Sequence, residues 1–286
     1  LFDYDTSLQS PVRNIQSPEQ VKRLIASLQE CASIPLFIGI DQEGGKVNRL
    51  KEGFGFPPTV SAEYLGHDNQ LAVTRKHAKT TAATLAGLGI NLNFAPVVDL
   101  NINPSNPTIG KVERSFSDDP DIVTAHALEW LRAHHEHNVF CTLKHFPGHG
   151  SARKDSHAGF VDITDVWLSQ ELIPYSNIIP TGQCDMVMTA HIFHAKLDPH
   201  LPATLSKSII TGILRKKLQY DGLVVSDDMQ MKALSSHYSL ERAFKLAIEA
   251  GVDLFIFGNN LIYEADIATR ATALIKQFVL TGSISQ

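Results

Sequence analysis

Pro35-Leu36-Phe37-Ile38-Gly39-Ile40-Asp41 is a short, nearly continuous apolar run that stops at a carboxylate. Without polar alternation, such a run reads as a strand buried on both faces, as in a parallel sheet covered by helices. A helix stands just before it. Ser17-Pro18-Glu19-Gln20 offers a capping serine, a proline at the first helical position and a glutamine placed to close a capping box. Val21, Leu24, Ile25 and Leu28 then recur at i, i+3, i+4 and i+7. The same alternation continues down the chain. Strand-like runs span 90–99, 139–145, 185–191, 223–227 and 252–257, and helical patterns lie near 70–87, 119–137, 166–179, 206–217 and 239–250. In the last of these, Ser239 reads as the N-cap and Gly251 as the C-terminal stop. A final helix places Ile267, Ala271, Leu274 and Phe278 on one face. Regular β-then-α order implies parallel strands joined by right-handed crossovers.

Two α/β architectures fit that order, a doubly wound open sheet and a closed barrel. Neither G-x-G-x-x-G nor G-x-x-x-x-G-K-[ST] is present, which weakens the nucleotide-binding version of the first. Polar residues instead end almost every strand: Asp41, Asp99, Lys144-His145, His191 and Asp227. Catalytic residues converge in this way at the upper face of a TIM-type (β/α)8 barrel, which is the expected fold. Six full strands are legible, with Leu1-Phe2 as the tail of another, so about one and a half strands of the barrel are expected to precede residue 1. No repeat, linker or composition break interrupts residues 1–286, and a single domain is expected.

Composition excludes several classes. The formal charge is −5, from 25 basic and 30 acidic side chains, which argues against a nucleic-acid partner. With 43% apolar and 19% charged residues, 18 glycines and 14 prolines, the chain is not of low complexity. No run approaches the roughly 18 apolar residues of a membrane span. The N-terminus has neither a basic segment nor a long apolar one, but it also lacks methionine. A cytoplasmic location is expected, with the periplasm or exterior left open. Cys31, Cys141 and Cys184 are odd in number and without a C-x-x-C pair, so buried packing is expected rather than disulfides or zinc.

Three stretches carry chemistry. Lys144-His145-Phe146-Pro147-Gly148-His149-Gly150 leaves a strand for a loop that continues to Asp155-Ser156-His157. Solvated loop polars are one reading of it. A metal site using His145, His149, Asp155 and His157 is a second, although no recognised zinc spacing is present. The third is acid-base work, with Asp155 orienting the imidazole of His157 two residues on. Val224-Val225-Ser226-Asp227-Asp228-Met229 ends an apolar strand in two carboxylates. Strand alternation points only one of them into a barrel mouth, and capping of the next helix remains open for both. A retaining glycosidase needs such a carboxylate as nucleophile, facing an acid across the anomeric carbon. Finally, Gly39-Ile40-Asp41-Gln42-Glu43-Gly44-Gly45-Lys46-Val47-Asn48-Arg49 has a glycine pair that permits a tight turn, returning Arg49 to the rim that Asp41 occupies. Carboxylates and arginines there suit sugar hydroxyls and a carbonyl.

Six motifs in order run along essentially the whole chain. They are D-Q-E-G-G at 41–45, N-F-A-P-V at 93–97, E-R-S-F at 113–116, K-H-F-P-G-H-G at 144–150 with D-S-H at 155–157, T-A-H at 189–191 and S-D-D-M at 226–229. Together they resemble the bacterial β-N-acetylglucosaminidases of glycoside hydrolase family 3. The histidine-bearing loop is the most specific of them, because β-glucosidases of the wider family lack it.

The resemblance implies Asp227 as the nucleophile, His157 as the general acid/base and Asp155 as its partner. It implies Asp41, Arg49, Arg114, Lys144 and His145 as residues that hold the sugar ring. It further implies retaining removal of terminal β-linked N-acetylglucosamine, with no cofactor and a small carbohydrate substrate such as a peptidoglycan fragment or chitooligosaccharide. A monomer is expected. The acid is then a histidine, and an imidazolium can protonate a glycosidic oxygen without the upward pKa shift that a carboxylic acid needs. Lys46 stands where arginine is common, and Lys111-Val112-Glu113 precedes Arg114 where Gly-Asp is typical. An Asp-Asp pair also admits a substrate-assisted route. Two further readings stay open: a metal-dependent barrel hydrolase using His145, His149 and His157, and an inactive sugar-binding barrel.

Overall fold

The computed structural model describes residues 1–284 apart from Ser7, Pro11, Ala158 and Leu261. Its framework is one sheet of six parallel strands in the order β1-β4-β5-β6-β7-β8. These are β1 (Gly39–Ile40), β4 (Leu92–Asn93), β5 (Phe140–Phe146), β6 (Met186–Thr189), β7 (Leu223–Asp228) and β8 (Leu254–Ile256). Two short strands after β1, β2 (Gln42–Gly44) and β3 (Val47–Asn48), form a separate antiparallel ribbon. The sheet curls into a half-barrel.

The strand-like run at 35–41 yields only a two-residue strand. Asparagine explains this. The Asn91 side chain accepts from Ile38 N–H at 2.7 Å and donates to Leu36 O at 2.9 Å, taking the place of a backbone ladder. Leu36 and Phe37 are 38% and 48% exposed, so the start of the run is not buried on both faces as its composition suggested. Phe37 meets Phe140 edge-on instead.

Alternation along the strands separates two apolar layers. Leu143, Val187 and Val224 face outward into the large cluster shared with the helices, which includes Trp130 and Tyr175. Met186, Met188 and Val225 face inward, with Leu92, Phe94 and Ile256 beside them. Burying each such side chain contributes about 1.5–3 kcal/mol. Side-chain burial on the two faces, more than ladders of two to four residue pairs, therefore holds the curl.

The expected closed eight-stranded barrel is thus observed as six strands, with no pairing between β8 and β1 among the described residues. Leu1-Phe2 is not a strand, because Phe2 is turned away by a bond to the Asn14 side chain. The described residues among 1–14 instead cross the gap irregularly. On the β8 side, Asn260 Oδ1 accepts from Thr6 N–H and Arg13, while Asn260 Nδ2 donates to Tyr4 O. On the β1 side, Leu1 N donates to Gly39 O at 2.8 Å.

The helices fall where the periodicity places them, with two local differences. The expected helix at 166–179 is broken into short turns between Ser169 and Thr181, where Pro174 and Pro180 supply no N–H. Ser208–Lys217 is wound as a π-helix. Ser17 caps Pro18–Glu30 as anticipated, accepting from Gln20 N–H, but the Gln20 side chain reaches back to Gln16 N–H. Cys141 is buried and Cys184 partly so, whereas Cys31 is exposed: it follows the last turn of that helix, off the face that buries Val21 and Ile25. Among the described residues no helix is long and apolar enough to cross a membrane.

Candidate active site

A cavity of about 520 Å³ opens at the C-terminal ends of the strands. Asp41, Arg49 and Arg114 line it, together with Lys144, His145, His157 and Asp227. Asp155 completes the sequence-nominated set through its bond to His157. The N-terminal crossing adds Phe2 and Tyr4 to one wall.

One wall is an ion network. The Lys144 ammonium, only 2% exposed, lies 2.9 Å from Asp41 Oδ1 and 2.6 Å from Glu43 Oε1. Arg114 grips both oxygens of Glu43 at 2.8 Å and donates to Thr108 O, while its Nη2 stands 3.2 Å from His145 Nε2. Burial alone would push Glu43 up, but Arg114 and Lys144 together hold its carboxyl down at about 2. Asp41 is lowered in the same way by Lys144 and Arg49 against the effect of burial. Arg49 reaches Asp41 at 3.8 Å and Asp3 at 3.5 Å, and its guanidinium stands 5.6 Å from the centre of the Phe2 ring. Fixed donors and acceptors of both signs can grip hydroxyls and an amide carbonyl without reorganising.

Opposite them, the pleat of β7 separates the two aspartates. Asp227 follows Val225 on the inward face by strand alternation, and Asp228, although it also borders the cavity, is engaged differently. Asp228 Oδ1 accepts from Gln230 N–H at 3.0 Å and Gly258 N–H at 3.1 Å, so this carboxylate ties the following turn to β8. Among the described residues, Asp227 accepts only from Asp228 N–H. Burial would raise Asp227, yet the imidazoles of His191, His145 and His157 and that N–H hold it below the usual carboxylate range. Asp228 is raised, by burial first. Environments that push paired carboxylates apart mark different roles.

The Asp155-His157 pair expected from the sequence is present on the loop. Asp155 Oδ1 accepts at 2.8 Å from both the His157 backbone N–H and its Nδ1. A single turn thereby sets the ring's tautomer and leaves Nε2 without a partner among the described residues. The remaining histidines of the loop are committed elsewhere. His145 Nδ1 meets Asp99 at 2.7 Å, and the His149 ring lies between Thr108 and Ser156. Among the described residues no three His, Cys, Asp or Glu side chains gather in a way that could hold a metal ion, so the His145/His149/His157 metal reading is not supported.

Similarity to known proteins agrees with this geometry. The family model described as "Glycosyl hydrolase family 3 N terminal domain" matches residues 6–286. The chain belongs to glycoside hydrolase family 3. Among relatives, Beta-hexosaminidase A of Pseudoalteromonas piscicida is 36% identical over 277 residues, covering 89% of this chain and 46% of that protein. Beta-hexosaminidase of Stenotrophomonas maltophilia (strain K279a) is 37% identical over 270 residues, covering 92% and 79%. A solved family 3 β-N-acetylglucosaminidase from Paenibacillus sp. str. FPU-7 superposes with a TM-score of 0.89 at 37% identity, covering 96% of this chain and 52% of that one. The chain thus spans about half the length of two of these three.

Within this family 3 domain, three carboxylates of the site escaped the sequence reading. Glu43 had a signal: two positions after Asp41 in an extended segment, it shares that side chain's face. Asp99 was seen as a strand tip, but its clamp on the backbone N–H groups of His145 and His149 was not. Glu171 gave no signal, since Ser169-Gln170-Glu171-Leu172 reads as an ordinary helical surface.

Proposed function

We propose that this family 3 domain releases terminal β-linked N-acetylglucosamine with retention of configuration. One observation carries the reading: an ionised, inward-facing Asp227 and the Asp155-oriented imidazole of His157 border the same cavity, beside a preassembled ion wall. The names borne by the Stenotrophomonas and Paenibacillus proteins support the choice of sugar.

In the proposed reaction Asp227 bonds to the anomeric carbon as the glycosidic C–O bond breaks, and His157 Nε2 delivers its proton to the departing oxygen. The neutral imidazole then takes a proton from water. That water attacks the same carbon and frees the Asp227 carboxylate. Asp41, Arg49, Arg114, Lys144 and His145 hold the ring's hydroxyls and acetamide. Peptidoglycan fragments processed in the cytoplasm are the natural substrate we propose, following the motif resemblance.

Two measurements test this. Matched N-acetylglucosaminide and glucoside substrates, with the first product anomer read by NMR, should show preference for the former and a β product. A 2-fluorinated or slow N-acetylglucosaminyl donor should add one sugar mass to the parent and none to Asp227→Ala. An α product, or turnover with no adduct and an active Asp227→Ala, would sink the covalent route in favour of inversion or attack by the substrate's own acetamide.

A further inference from the structure

The loop that carries His157 has a stem locked from several sides. Asp99 Oδ1 accepts from His149 N–H at 2.7 Å, Asn106 Nδ2 donates to His149 O at 2.7 Å, and Asn103 Nδ2 donates to Ala152 O at 2.8 Å. Beneath it lies Glu171, 1% exposed, whose Oε2 accepts from Gly150 N–H at 2.8 Å. Contact is close enough that a Cβ at Gly148, where φ is +123°, would stand 2.5 Å from Glu171 Cβ. At Gly150 a Cβ would stand 1.7 Å from Leu100 O, so the loop backbone is pressed between Leu100 and Glu171.

Glu171 is an expensive residue to place there. Among the described residues no cation pairs with it, and its buried Oε1 makes no well-formed hydrogen bond. Burial pushes its carboxyl up to about 7, outweighing the nearby Ser151 side chain, and Asp99 acts in the same direction as burial. A leucine would fill the space without that desolvation cost, but would leave Gly150 N–H unsatisfied. The one thing the carboxyl supplies is an acceptor under the last locked residues before Asp155 and His157.

We propose that Glu171 is a positioning residue for the acid/base loop, fixing through Gly150 N–H the direction in which residues 151–157 leave the stem. This rests on the reading of His157 as the acid. Glu171 touches no substrate. Its loss acts on the step that needs the proton, because displacing a catalytic group by about 1 Å costs on the order of 10²-fold.

The test compares kcat/KM on two N-acetylglucosaminides, one with a nitrophenyl leaving group that departs unaided and one with an alkyl leaving group that needs protonation. Glu171→Ala should lose about 30-fold or more on the alkyl substrate and under about threefold on the nitrophenyl one. Glu171→Gln keeps an acceptor oxygen for Gly150 and should stay within about threefold of the parent on both. Equal losses on the two substrates, or a Gln variant as impaired as the Ala variant, would overturn the proposal. If Glu171→Ala does not accumulate in folded form, Glu171→Asp, which withdraws the carboxylate by one methylene, should show the same unequal loss. His157→Ala, run alongside, separates the two readings. If it discriminates between leaving groups and Glu171→Ala does not, only the positioning role fails. If it does not discriminate, the acid assignment fails and takes the positioning role with it.

Discussion

The two sides of the cavity use contacts of similar length in opposite surroundings. Lys144 and Glu43 meet at 2.6 Å with side chains 2% and 6% exposed, while His157 and Asp155 meet at 2.8 Å with 51% and 39% exposed. A buried pair is hard to break, because removing one partner strands a charge where water cannot reach it. An exposed pair is worth at most about 1 kcal/mol, being screened and entropically costly to hold. Distance alone therefore does not rank these interactions. The wall that would grip the sugar is assembled before substrate arrives. The Asp155-His157 pair sits on a solvent-facing arm, oriented by one turn of its own backbone.

Breaking the buried side should give the largest effect on the fold. Lys144→Met leaves Asp41 and Glu43 facing each other with one cation fewer, and should cost about 3–5 kcal/mol of stability at neutral pH, read from urea unfolding. Arg114 still grips Glu43, so the lower half of that range is the closer expectation. A loss below about 1 kcal/mol would mean that the wall tolerates water, and the contrast between the two sides would disappear.

The exposed side should behave the opposite way. Asp155→Ala removes the acceptor that fixes the His157 tautomer, and should lower kcat on an unactivated N-acetylglucosaminide by about 10²- to 10³-fold. Its melting temperature should match the parent's within about 2 °C, since an exposed pair holds little stability. A large fall in melting temperature would show the arm to be part of the folded framework after all.

These two sides were unequally legible in the sequence. Strand tips announce themselves, since core packing gives no reason for an apolar run to end in Asp41, Lys144 or Asp227, whereas alternation reserved the inward direction for one of Asp227 and Asp228 and only the motif resemblance named Asp227. The dyad was legible because both members lie within one turn. Sheet closure was not. The described residues among 1–14 cross the gap through side-chain bonds such as those of Asn14 and Asn260, which follow no period. Strand length failed for a related reason, because Asn91 satisfies backbone groups that the apolar run at 35–41 promises to a ladder. Glu171 was least legible of all. Its role depends on packing against Gly148 and Gly150, more than twenty positions away, and nothing local marks a lone glutamate as buried.

Glu171 also offers the finest probe of the contrast, through pH. Burial raises its carboxyl from 4.5 to about 7, so the folded protein holds this proton more tightly than the unfolded chain does. The stability it contributes is then complete below about pH 4.5 and is lost as pH rises through 7, amounting to roughly 3 kcal/mol for a shift of this size. Glu171→Gln cannot ionise. Its melting temperature relative to the parent should climb between pH 4.5 and pH 8. Further buried groups titrate over the same range, and taking the difference between variant and parent removes what they share. His149, lowered to about 4 by burial, costs stability as pH falls from 6.5, while Asp99, held down by His145 and His149 against burial, and Tyr175, pushed up by burial, complete the surroundings of Glu171. A flat difference for Glu171→Gln would mean that water reaches the carboxyl beneath the stem, and the loop would then be solvated along its whole length.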